Sequence, residues 1–120
     1  MSIQFEFTPG ENLLEVKAWG YDETVEDSNR YSEAVIREAI KCGVTRVLCD
    51  EREVEYRLNL FDTYIMAETV AQTAPNVAKV AIVCDPGYLE DGKFYETVLA
   101  NRDIAVSVTD NMKQARAWLG

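Results

Sequence analysis

The spacing of apolar residues changes at Gly20, and that change restricts the folds open to this chain. Before it, "IQFEF" sets Ile3, Phe5 and Phe7 against Gln4 and Glu6, and "LLEVKAW" sets Leu14, Val16 and Ala18 against Glu15 and Lys17. A period of two is that of half-buried strands, and Pro9 and Gly10 in "TPGEN" place a turn between them, so a hairpin is expected. Beyond Gly20, helical spacing alternates with the strand-like runs "TRVLC", "VAKVAIVC" and "IAVSVT". The order is β-β-α-β-α-β-α-β-α. Strands joined by single helices run parallel through right-handed crossovers, which makes this an α/β protein.

Each helix carries its own start signal. Thr24 with Asp27 three residues on reads as a capping box, because both side chains can reach orphan backbone N–H groups. Val25, Val35, Ile36, Ala39 and Ile40 then share a face, and Gly43 supplies the stop. Asn59 caps a second helix with Asp62 at its third position; Leu60, Phe61, Tyr64, Ile65, Ala67 and Val70 form its apolar stripe, and Pro75 ends it. "DPG" is a turn signal, after which "FYETVLANR" begins a third helix. The last helix, "DNMKQARAWL", is capped by Asp110 or Thr109 and buries Met112, Ala115, Trp118 and Leu119.

The strand faces are unequal. Glu15, Lys17 and Trp19 on the second strand, Lys79, Ala81, Val83 and Asp85 on the fourth, and Ala105, Ser107 and Thr109 on the fifth share the smaller or more polar side. A parallel sheet covered equally on both faces shows continuous apolar strands, so one face here is expected to have a modest cover.

Composition narrows the function. A length of 120 residues suits one domain, residues 1–120, with a core that needs no disulfide or metal. The formal charge of −9 repels phosphate backbones and anionic lipid heads, which disfavours nucleic acid and membrane and favours a basic partner. With no histidine, the commonest general base and metal ligand are missing. Cys42, Cys49 and Cys84 are far apart and read as small buried hydrophobes in a reducing compartment. "MSIQFEF" lacks the basic start and apolar run of a signal peptide, and no apolar run is long enough to span a bilayer, so a cytoplasmic protein is expected. No cofactor is implied.

The segment "VLCDEREVEYRLNL" holds the densest charge. It begins as a strand and then places Asp50, Glu51, Arg52, Glu53, Glu55 and Arg57 in what reads as a loop at a strand's carboxyl end, where α/β folds bind ligands. A solvated loop of weak ion pairs accounts for it as simply as a recognition loop does. Asp50, Asp85 and Asp110 all fall at strand ends, yet turn formation, capping and backbone acceptance explain them better than a metal site does. Tyr21, Tyr56, Tyr88 and Tyr95 lie near the same loops, beside Trp19 and Arg102; Tyr95, within its helix, more simply covers the core. No phosphate-binding glycine motif or nucleophile–histidine pair occurs.

"VTRVLCDER", "AKVAIVC" and "KFYETVLANRDIAVSVTDNMKQARAWL" together resemble the STAS (anti-sigma-factor-antagonist-like) domains, and within them an uncharacterised SpoIIAA-like bacterial branch. The resemblance implies a mixed, mostly parallel five-stranded sheet with helices mainly on one face, in agreement with the unequal strand faces. It also implies partner binding controlled by phosphorylation of a serine that follows an Asp at the end of the third strand. Asp50 matches that Asp, but Glu51 stands in place of the serine.

Two readings follow. The first is a non-enzymatic binding or regulatory module that contacts another protein or itself without the phospho-switch, through Asp50, Glu51, Arg52, Tyr56, Arg57, Asp85 and Tyr88. The second is a module for a small apolar ligand, or a weak enzyme, with a pocket at the strand ends. The first strand, expected at the sheet edge, suggests a homodimer.

Overall fold

The hairpin forms as the alternation requires: β1 (Ile3–Gly10) pairs antiparallel with β2 (Leu13–Asp22), Phe5 opposite Ala18 and Phe7 opposite Val16. The turn itself is shorter than "TPGEN", since the ladder continues through Pro9 and Gly10 and reverses at Glu11 and Asn12. This is a computed structural model that describes residues 2–73 and 79–120. The expected stop at Pro75 and the start of the fourth strand at Val77 lie outside the described residues.

The remaining elements are α1 (Val25–Cys42), β3 (Arg46–Tyr56), α2 (Leu60–Thr73), β4 (Lys79–Cys84), α3 (Leu89–Ala100), β5 (Val106–Thr109) and α4 (Met112–Leu119). The sheet order is β1-β2-β3-β4-β5, with every neighbour parallel except β1 and β2. β1 is therefore an edge, as expected.

Local chemistry explains most boundaries. The Thr24 side chain accepts from the Asp27 N–H at 3.1 Å, and Gly43, at φ 68°, returns its own N–H to the end of α1. Asn59 caps α2 by accepting from the Asp62 N–H at 2.8 Å. Two helix starts differ from expectation. The cap of α4 is Asn111, which accepts from Gln114 N–H, while Thr109 instead accepts from Asn111 N–H. α3 begins at Leu89 because Asp85 accepts from the Gly87 N–H and folds Pro86–Tyr88 into a 3₁₀ turn that leads into the helix.

Cover on the two faces is unequal. α1 and α3 pack on Ile3, Leu14, Val16, Ala18, Val47, Cys49, Val54, Ile82, Cys84 and Val108. The short α4 alone covers Leu48, Ala81 and Val83 with Ala115 and Leu119. From its flank, Arg116 of α4 pairs with Glu15 of β2 at 2.6 Å. The buried stripe of α1 is Ser28, Tyr31, Val35 and Ala39, so Ile40 turns outward. No helix among the described residues is long and apolar enough to cross a membrane.

Cys49 and Cys84 are buried and free, whereas Cys42, at the end of α1, is exposed, contrary to the expectation for it. Burial pushes the Cys49 thiol well up and the Cys84 thiol up to about 11. Alkylation of the native protein is expected at Cys42 first, with Cys49 and Cys84 reacting only on unfolding. Rapid native labelling at both would show that the strand faces are wrongly assigned.

Candidate functional site

The charged segment is not a loop. It is the second half of β3, which runs on to Tyr56 beside β2. Lys17 pairs with Asp50 and Trp19 with Glu53, so two steps along β2 match three along β3. That extra residue is a β-bulge, and it inverts the facing of everything after it. Val47, Cys49 and Glu51 point toward α1, and beyond the bulge Val54 and Tyr56 do so again. Arg52, Glu53 and Glu55 are left exposed.

Glu51 is consequently inside the protein, only 7% exposed. Tyr31 of α1 donates to its Oε2 at 2.9 Å, and Tyr56 donates to Oε1. Burial raises the carboxyl to about 7, against the two phenolic hydrogen bonds that favour the charged form. Asp22, at the end of β2, is also raised by burial and accepts from the Ser28 hydroxyl.

Both carboxylates look into a cavity of about 120 Å³ between the sheet and the three helices α1, α2 and α3. α2 rests on α1 and α3 more than on the strands, and the cavity is the space beneath it. Val35, Val47, Val80, Ile82, Val106 and Val108 are among its apolar walls. The acidic end lies at the carboxyl ends of β2 and β3, where Asp22, Glu51, Tyr56 and Tyr95 meet.

The other candidate residues fall elsewhere. Asp50 is on the α4 side of β3, where Arg52 grips it at 2.8 and 2.9 Å and Lys17 reaches it at 3.4 Å. The Arg52 hydrogen bonds chiefly hold its carboxyl down to about 2. Arg57 stacks over the Tyr21 ring at 3.7 Å and pairs with Glu23 and Glu55. Asp85 is used in its turn, and Tyr88 lies against Tyr56 with ring centroids 5.3 Å apart. Glu51, Tyr56 and Tyr88 thus come together, while Asp50, Arg52, Arg57 and Asp85 do not join them. Among the described residues no group of acidic or thiol side chains is arranged to hold a metal. Sequence reasoning passed over Asp22, Ser28 and Tyr31; the available signal was a tyrosine and a serine on the buried stripe of α1, where apolar residues were expected.

α2 departs furthest from its expected stripe. Met66, Ala67 and Val70 are buried, but Leu60 (57% exposed), Phe61 (70%), Tyr64 and Ile65 face outward. The helix is apolar nearly all round and only one side is covered.

Comparison with solved structures agrees with this topology. The chain is similar to an anti-sigma factor antagonist from Mycobacterium paratuberculosis, with a TM-score of 0.62 and 12% identity over 98% of this chain and 94% of that one. It is also similar to an uncharacterized protein of the DUF3478 family with a SpoIIAA-like fold from Shewanella loihica, with a TM-score of 0.60 and 16% identity over 99% and 94%. The chain has the SpoIIAA-like fold. No family model and no curated protein compared with the sequence matches it. In this chain with the SpoIIAA-like fold, the position after Asp50 carries a buried carboxylate where the STAS resemblance implies a phosphorylatable serine.

Proposed function

We propose that this chain is a non-enzymatic binding module that acts by docking a partner protein on the outer face of α2. The observation that carries the reading is the patch Leu60, Phe61, Tyr64 and Ile65, four exposed apolar residues on one side of one helix. Contiguous apolar surface of this kind marks interaction sites on soluble domains. Arg102 lies over the Tyr64 ring, 5.7 Å from its centroid, and an aromatic–arginine pair is a typical interface anchor. The net charge of −9 selects a partner with an apolar centre and a basic rim. A similar solved structure described as an anti-sigma factor antagonist fits a protein-binding role. Phosphorylation beside Asp50 has no part in the proposal, because Glu51 has no hydroxyl to modify and is buried under two tyrosines.

A photo-cross-linker placed at Phe61 is expected to trap one discrete adduct in extract of the native host, whereas one placed at exposed Glu55 should not. The Leu60→Asp/Ile65→Asp variant, altered only at exposed positions, should lose the adduct and keep its fold. An adduct of twice the chain's own mass would identify the partner as a second copy. Absence of any adduct, or one unaffected by the two aspartates, would refute docking at α2.

A further inference from the structure

We propose that the cavity beneath α2 is a binding site for a small apolar molecule that ends in a hydrogen-bond donor, an alcohol or an amine. Size comes first. A cavity of about 120 Å³ exceeds what one water needs and approaches the ~150 Å³ that accepts a benzene ring, so it suits a body of about six or seven heavy atoms. Its walls are mostly aliphatic and offer such a body dispersion contacts and removal from water.

The polar end selects the head. Asp22, Glu51 and Asp91 line the cavity, and no lysine or arginine does. An anionic head would place like charge against these carboxylates in an apolar enclosure, where repulsion is weakly screened. A donor head instead finds acceptors waiting.

Tyr95 supplies an independent indication. Burial pushes its phenol well above the ordinary value, yet the ring keeps accessible surface and lines the cavity. Its hydroxyl has no hydrogen-bond partner among the described residues, although Tyr31 and Tyr56 beside it are both engaged with Glu51. Tyr95 lines the cavity, so an alcohol or amino group bound at that end can pair with this hydroxyl. The inference is separate from docking at α2 and stands or falls without it.

The test uses three seven-heavy-atom probes: n-hexanol, n-hexylamine and n-pentanoate. Each is titrated into protein with labelled methyl groups, and the Val35, Ile82 and Val106 methyl resonances are followed by NMR. At least one of hexanol and hexylamine is expected to shift these methyls saturably, with pentanoate weaker by more than the roughly fifteenfold that its two fewer tail carbons cost. The tighter of the two donors names the head. Tyr95→Phe removes an oxygen that no protein group uses, so the fold should be unaffected while affinity falls several-fold. Pentanoate within about fifteenfold of the better donor, full affinity in Tyr95→Phe, or no saturable shift with either donor would overturn the proposal.

Discussion

Between about pH 4.5 and 7 the folded protein will lose roughly 3 kcal/mol of stability that its Glu51→Gln variant retains. The sign follows from the direction of the shift. Unfolded, Glu51 releases its proton near its ordinary value of 4.5; folded, burial holds the proton to about 7. Across that window the native state binds more protons than the unfolded state, so stability falls as pH rises, and above 7 the buried carboxylate is a standing cost. Glutamine keeps the volume, accepts from one tyrosine and donates to the other, and does not ionise. Urea midpoints for both proteins from pH 4.5 to 8 would decide: the curves should diverge until the variant is the more stable, and parallel curves would contradict the burial of Glu51. Asp50 does not interfere, since its lowered carboxyl, held chiefly by Arg52, withdraws stability only below its ordinary value of 3.8. Asp22 is present in both proteins, so its own burial cancels, while its charge adds to the upward shift of Glu51.

Gly92→Ala is expected to destabilise the fold by about 1–3 kcal/mol. Gly92 lies in the first turn of α3 against β5, and an added Cβ would fall 2.4 Å from Cγ1 of Val108 and 3.8 Å from Sγ of Cys84. Val108 is branched at Cβ, almost fully buried and short, so it cannot swing aside as a long flexible side chain would. Helix and strand must separate or twist. Val108→Ala leaves a small void by itself, and alanine at 92 partly fills it, so the double variant should recover much of the loss. Strict additivity of the two substitutions in denaturant unfolding would mean that the contact does not limit the approach of α3.

Element order, the hairpin and most helix starts were legible because each rests on short-range chemistry: alternation in "IQFEF", the Thr24 hydroxyl three residues from an N–H, the αL glycine at 43. The uneven strand faces correctly foretold that one side would have the lighter cover, a helix of eight residues. What was not legible depended on long-range registry. The bulge in β3 leaves no local mark, and without it "DEREVEY" reads as polar at every position that matters. Once the extra residue is placed, Glu51, Val54 and Tyr56 fall on one side and the segment is plainly half of a strand. The outer residues of α2 were misplaced for a related reason. An all-round apolar helix states that it wants burial, but not how much of it the rest of the chain can cover. The α4 cap moved by one residue because "TDN" offers three capping side chains in a row, and only the geometry at the end of β5 chooses among them.

The bulge has a further consequence, for how this segment tolerates change. Composition here is negotiable: Arg52 and Glu53 both lie at the surface, and many polar residues would serve in their places. The bulge is not. At this chain length, strict alternation without the bulge would send Val54 and Tyr56 to the solvent side while drawing Glu53 and Glu55 inward. The acidic end of the cavity would lose one of the two phenols that hold Glu51, and two more charges would seek a place in the core. A one-residue bulge in the pairing, rather than any particular side chain, keeps the inside of this protein distinct from its outside.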